Sequence, residues 1–393
     1  MRIVLFGAQL FNNANYALAS FGSGHEVFLV PTIPIKRKEF YKSKETFLSS
    51  NRRLFEELQQ KHIRVVPIFL NIVASSSLSS LKPLDIVRDF LNIYRTLASI
   101  SPAAVINFYV LHSVPLVFLK SVLRYHLFLV ATGGDVNLHN GKFHIGLRRF
   151  LFRQSNLVFA VSAEIVGKIL GESGISAKLM RTGADPSFYK KLKPLKSLRR
   201  KWGVEKKALI VSSIGNFSRM KGVHILIQAV SILKKTKPDL EMRLFIVGKG
   251  PDESFLRTLV SQYNLEKVVV FLGYIDRHEL REMFNISDMF VMSSFSEGLP
   301  FSLLEAMASE TVCIATPVGD IPIVLKEGYN GFFTKIGDPR YLERKIEQVM
   351  SLPENLKSQI GRNARETIES RFDMRKTTHE MMQIVCQDIE RNN

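Results

Sequence analysis

A chain of 393 residues, 46% of them hydrophobic, is long for a single hydrophobic core and holds apolar material for two domains of ordinary size. Its two cysteines, Cys313 and Cys386, exclude a disulfide-stapled scaffold and stand in no metal-ligand spacing, which points to a reducing, cytoplasmic setting. A formal net charge of +18 favours polyanionic partners (nucleotide diphosphates, anionic lipid or nucleic acid) without choosing among them.

In chain order, the opening Met1-Arg2-Ile3-Val4-Leu5-Phe6-Gly7 reads as a strand running into a loop, and its apolar run is too short for a signal peptide. Further strands are predicted at 27–30, 65–69, 104–108, 127–131 and 157–161, with helical spacing between them at 86–97 and 145–152. Such alternation implies a parallel sheet covered on both faces. The most apolar stretch, 103–123, is broken by Asn107, His112, Ser113, Pro115 and Lys120. A membrane span needs about 20 nearly unbroken apolar residues, so this stretch reads as strand, turn and helix. Two basic, aromatic segments could seat on an anionic membrane: 36–41, which begins Lys36-Arg37-Lys38, and 147–153, with Arg148, Arg149, Arg153, Phe150, Leu151 and Phe152. A helix with one core face and one solvated basic face also fits them.

Between 187 and 207 the chain turns basic, with Lys190, Lys191, Lys193, Lys196, Arg199, Arg200 and Lys201 ahead of the single acid Glu205, and the domain boundary is predicted there. A second alternating block follows, with strands at 208–214, 243–247, 268–272, 289–294 and 311–319 and helices at 223–235, 253–263 and 277–285. A last strand is expected at 330–334, then helical pattern to Ile389.

Function is written most densely at 297–305, Glu-Gly-Leu-Pro-Phe-Ser-Leu-Leu-Glu, between two of these strands. Proline fits a first helical turn, so a helix should start near Pro300 and point its free amides at the loop of Glu297. A helix N-terminus takes anions, and Glu297 and Glu305 can accept hydrogen bonds from hydroxyls, so phosphate plus hydroxyls suggests a nucleotide sugar. Alone, the pair would also suit a buried helix with two incidental acids. Two glycine loops at neighbouring strand ends add weight. Gly215-Asn216-Phe217-Ser218-Arg219-Met220-Lys221-Gly222 offers close backbone approach and two cations to a diphosphate, and Val247-Gly248-Lys249-Gly250-Pro251 repeats the strand–glycine arrangement.

Together with Phe271-Leu272-Gly273-Tyr274, Glu305-Ala306-Met307-Ala308 and Thr316-Pro317-Val318-Gly319, these motifs resemble, in order, the donor domain of retaining glycosyltransferases of family 4. Thr132-Gly133-Gly134-Asp135, Ala160-Val161-Ser162 and Arg181-Thr182-Gly183-Ala184-Asp185 resemble looser landmarks of the same family. The resemblance implies an α/β GT-B fold of two Rossmann-like domains with parallel sheets facing across a cleft. The N-terminal, acceptor-binding domain would span 1–190 and the nucleotide-sugar domain 191–370, with a helix at 371–393 packing back toward the N-terminal domain.

Roles follow from the same resemblance. Lys221 and Arg219 would neutralise the leaving diphosphate, Glu297 hold a hydroxyl of the transferred sugar, and Asp135 handle the acceptor. Glu305 would take the ribose hydroxyls. Gly215, Asn216, Gly248, Gly250, Gly273, Tyr274, Gly298, Leu299, Pro300 and Phe301 would shape the donor site. No cofactor or metal is expected, the donor being a UDP- or GDP-linked sugar. The acceptor would be a glycan or glycolipid, nucleic acid is not expected as a partner, and the location would be cytoplasmic or peripheral on the inner membrane face. An epimerase or a non-catalytic sugar-nucleotide binder shares the implied architecture. Several positions depart from the family pattern: Asn216 where Arg is usual, Thr132 for His, Thr182 for Asn, Asp320 for Gly and Ile323 for Glu.

Overall fold

The computed structural model describes residues 1–7, 25–34, 52–70, 83–132, 136, 141–193, 195–204 and 208–392. These form two compact units, Met1–Arg181 with Met374–Asn393, and Thr182–Asp373. The division falls after Arg181 and not after 190, because the intervening segment is tied into the second unit. Ala184 bridges Asp373, and the rings of Phe188 and Tyr189 pack edge-on against His278 and Phe284. Asp135, the 36–41 segment and the loop at 8–13 lie outside the described residues.

In the first unit the strands are β1 (Arg2–Gly7), β2 (Glu26–Pro34), β3 (Arg64–Val65), β4 (Ile68–Leu70), β5 (Ala104–Asn107), β6 (His126–Ala131), β7 (Leu157–Ala160) and β8 (Lys178–Leu179). They are ordered β3-β2-β1-β5-β6-β7-β8, with β4 also paired to β2, and every pairing is parallel. The predicted strand at 65–69 is two short strands, with Pro67, which has no N–H to give a ladder, between them. The C-terminal helix Met374–Asn392 belongs to this unit: Cys386 Sγ lies 3.3 Å from His25 Nε2, and Asp388 lies 3.5 Å from His126 Nδ1.

The helix Lys142–Gln154 changes the reading of the basic segment at 147–153. Arg148 is fully buried and pairs with Glu172 at 2.8 Å, while Leu151 and Phe152 are core residues at 0% and 2% exposure. None of these three can reach a membrane. A charge at that depth persists only when paired, and the carboxylate of Glu172 receives its guanidinium through several hydrogen bonds. Among the described residues no helix is long and apolar enough to cross a membrane.

In the second unit β9 (Leu209–Ile214), β10 (Met242–Val247), β11 (Val269–Gly273), β12 (Met289–Met292), β13 (Val312–Ala315) and β14 (Phe332–Phe333) form a parallel sheet ordered β11-β10-β9-β12-β13-β14. Side chains alternate between two cores. Met289 and Val291 join the helices Val223–Thr236 and Pro339–Ser351 on one face, whereas Phe290 and Met292 join Phe301–Ala308 and Glu354–Arg371 on the other. Burial on both faces is why these strands read as unbroken apolar runs. The chain leaves β9 in one direction toward β10 and β11, and the sheet grows in the other through β12 and β13. The carboxyl ends of β9 and β12 therefore flank the crevice where open α/β sheets bind ligands.

Candidate active site

Glu297 and Lys221 meet across that crevice. Lys221 Nζ donates to both oxygens of Glu297, at 2.8 and 2.7 Å, and Ser294 Oγ donates to Oε1 at 2.7 Å. The side chain of Glu297 is only 6% exposed, against 32% for Lys221. The carboxylate is thus held in one orientation, while the ammonium keeps an open side.

Backbone contacts between neighbouring loops make the pair rigid. Gly222 has φ +63°, and a Cβ placed on it would lie 1.9 Å from the carbonyl oxygen of Ser293. Glycine is needed there because two backbones touch in a left-handed turn. Ser293 Oγ donates to Gly222 O, and Phe295 N to Met220 O. From the β13 side, Thr316 Oγ1 donates to Ser294 O at 2.6 Å and Asp320 N to Gly298 O at 3.0 Å. Thr182, one of the departures from the family pattern, donates to Leu299 O at 3.2 Å.

The helix behind Glu297 is Phe301–Ala308, with Pro300 as its N-cap at φ −76° and ψ 129° and not within its first turn. Pro300 itself offers no side-chain cap. Eight residues cannot hold a helix alone in water. Burial fixes it: Leu303 and Leu304 are 0% exposed, each contributing about 1.5–3 kcal/mol.

Glu305 lies on this helix at 6% exposure, hydrogen-bonded to the Tyr189 hydroxyl and near the charge of Arg277. Burial pushes its carboxyl up to about 7, which the tyrosine and arginine only partly counter. The same burial raises the Tyr189 hydroxyl well above its usual value. A carboxyl raised in the folded state keeps its proton there while the unfolded chain ionises. Stability should therefore be full below about pH 4.5 and fall as pH rises to about 7, by about 3 kcal/mol, and then stay level. Urea melts of wild type and Glu305→Gln across that range should diverge in this sense; parallel pH profiles would show that Glu305 ionises freely.

The remaining predicted residues divide into two groups. Gly248 and Gly250 make room for the other loop: a Cβ on Gly250 would meet Asn216 Oδ1 at 2.2 Å and Phe217 O at 2.4 Å, and one on Gly248 would meet Gly215 O at 1.9 Å. Asn216 is accordingly a packing neighbour of Gly250. Gly215 and Gly298, by contrast, present their missing side chains to open space. Arg219 stacks on the Phe255 ring, 3.5 Å from its centroid, with Asp252 at 3.9 Å, so its charge is directed along the loop and not at Glu297. Tyr274 is 70% exposed beside β11, with Lys249 Nζ 5.9 Å from its ring centroid. Leu299 is buried, and Pro300 and Phe301 are half-buried where the helix begins. Among the described residues no cluster of three metal-ligating side chains occurs.

Sequence reasoning passed over Ser294, Thr316, Tyr189 and Thr182 as supports of the site. Ser294, three residues before Glu297, was within reach as a Ser-x-x-Glu pair. The others are distant in sequence and carry no local signal.

Residues 196–367 match the family described as Glycosyl transferases group 1. The N-acetyl-alpha-D-glucosaminyl L-malate synthase of Bacillus anthracis is 29% identical over 250 residues, 63% of this chain and 62% of that protein. The putative glycosyltransferase EpsD of Bacillus subtilis is 32% identical over 213 residues, 54% of each chain. The matched region thus spans only some three-fifths or less of these curated relatives. Among solved structures, Anabaena HepE in complex with UDP and glucose superposes at a TM-score of 0.75, with 19% identity over 98% of this chain and 100% of that one. Sucrose-phosphate synthase of Thermosynechococcus elongatus superposes at 0.71, with 16% identity over 98% of each. At such identity the likeness speaks for the fold alone, which is GT-B, and within it residues 196–367 are similar to the glycosyl transferases group 1 family.

Proposed function

We propose that this protein is a retaining hexosyltransferase of family 4 that moves a sugar from a UDP- or GDP-sugar to an acceptor hydroxyl without a metal ion. The observation that carries this reading is the Lys221–Glu297 pair at the β9/β12 crevice, beside the start of the helix Phe301–Ala308. The diphosphate sits against the amides at the start of Phe301–Ala308, with the open side of Lys221 taking up charge as the bond from the anomeric carbon to the phosphate oxygen breaks. The acceptor oxygen bonds to the same face of that carbon, and its proton passes to the departing phosphate. Glu297 holds a hydroxyl of the sugar, and Glu305, aided by Tyr189, takes the ribose. The acceptor is a lipid-linked or cell-surface glycan precursor, and Asp135 is the proposed acceptor-side residue. UDP as the nucleotide is supported by what HepE holds.

A second reading rests on Arg219. With its guanidinium on Phe255 and Asn216 packed at Gly250, Lys221 is the loop cation placed at Glu297, which suits a binder that transfers slowly. A thermal-shift screen of UDP, GDP and their sugar conjugates, followed by product analysis with and without acceptors, separates transferase, epimerase and binder, because a ligand of the folded state raises its melting temperature. Glu297→Gln should weaken binding of the intact sugar nucleotide at least tenfold more than that of the diphosphate alone, by about 1.4 kcal/mol or above. Equal losses for both ligands would place Glu297 off the sugar.

A further inference from the structure

The first unit carries an apolar face that nothing in the donor chemistry explains. On the helix Pro83–Ile100 the buried residues are Asp89, Ile93, Leu97 and Ile100. The opposite face is apolar as well: Leu84 is 82% exposed, Val87 55% and Leu91 43%. Spacings of three and four residues put these in one stripe along the helix. The next helix, Val114–Leu123, exposes Phe118 at 60% and Val122 at 66%, and the helix Lys142–Gln154 exposes Phe143 at 65%. All three lead onward through the strand order toward β5, β6 and β7, so right-handed crossovers put them on one side of the sheet, and the middle helix touches both others. Lys120 Nζ clasps Gln154 O at 3.0 Å between two of them.

The exposed charges of these three helices have one sign. Arg88, Arg95, Arg124, Lys142 and Arg153 are exposed. Lys142–Gln154 and Val114–Leu123 contain no acid at all. On Pro83–Ile100, Asp85 is 15% exposed and tied to Arg88, and Asp89 is buried. Exposed apolar side chains rimmed by cations are complementary to an anionic bilayer, whose headgroups attract the cations while its acyl boundary takes the apolar groups. A second copy of the chain would bring like charges together.

We propose that the outer face of these three helices seats this protein on an anionic membrane surface, with Leu84, Leu91, Phe118, Val122 and Phe143 entering the headgroup boundary. This surface keeps Arg153 of the 147–153 segment, whose Arg148, Leu151 and Phe152 the core has taken, and it does not depend on glycosyl transfer.

The test is flotation of the full chain with vesicles of about one part phosphatidylglycerol to two parts phosphatidylcholine, against pure phosphatidylcholine, at about 0.1 M and about 1 M salt. Binding should require the anionic lipid, weaken with salt and retain a salt-resistant part. Replacing Arg88, Arg95, Lys142 and Arg153 by Gln should weaken it by about fivefold per cation. Leu84→Gln, Leu91→Gln and Phe118→Gln together should remove the salt-resistant part. These positions are exposed, so unchanged circular dichroism is expected. As a control for overall charge, replacing Lys190, Lys191, Lys193 and Lys196 of the second unit by Gln should have a much smaller effect. Three results would overturn the proposal: no flotation with anionic vesicles at low salt, an equal loss in the control variant, or a concentration-dependent dimer that the three apolar replacements dissolve.

Discussion

Lys221→Ala will slow the proposed sugar transfer by about 100- to 1,000-fold, the range found when one preorganised charge-stabilising donor is removed from an active site. The ammonium is bound to both oxygens of Glu297, so its removal has two consequences. In the proposed reaction the leaving diphosphate loses the cation of Lys221. Glu297, 6% exposed, is also left with Ser294 Oγ as its side-chain donor among the described residues, which should cost about 2 kcal/mol of stability. The two effects separate by assay. A rate deficit measured with saturating donor, on protein that still melts cooperatively, belongs to the chemistry. Arg219→Ala is the comparison: with its side chain on Phe255, it should slow transfer less than tenfold. A Lys221→Ala enzyme within tenfold of wild type, or an Arg219→Ala enzyme slower than it, would reassign the cation that stabilises the leaving group.

Gly222→Ala will be among the most destabilising single-methyl changes available in the second unit, at about 3 kcal/mol or more. A Cβ there would overlap the Ser293 carbonyl oxygen at 1.9 Å, and the residue would have to hold φ +63°. The left-handed conformation alone costs about 1 kcal/mol for alanine, and the backbone overlap cannot be relieved by a side-chain rotation. The loops after β9 and β12 must part, taking Lys221 away from Glu297. Gly298→Ala in the same motif provides the contrast. Its Cβ would point into open space, so the unfolding free energy from urea melts should stay within about 0.5 kcal/mol of wild type. Any loss of donor binding in that variant would come from the crevice itself. Equal melts for the two variants would mean that the loops are not in contact in solution.

The parallel sheets, the position of nearly every described strand in the second unit, and the βαβ unit around Glu297 were legible in the sequence, because a strand buried on both faces must be an unbroken apolar run and a parallel return needs a helix. The Glu297–Glu305 spacing and the glycine loops were legible for the same reason: a turn demands its residue types locally. Burial depth was not. Arg148 and Phe150 look alike in a basic, aromatic string, yet one is fully buried against Glu172 and the other 43% exposed. Only the packing of Lys142–Gln154 on its neighbours decided which side of the helix faces the core. Nor could the chain order show that Gly250 makes room for Asn216, or that Lys221 meets Glu297 from a loop 76 residues earlier. Sequence determined the periodic elements and the turns, whose causes are local. Tertiary structure decided the ion pairs, the orientation of Arg219 and the upward pKa shift of Glu305, because each depends on which distant groups exclude water from the same point.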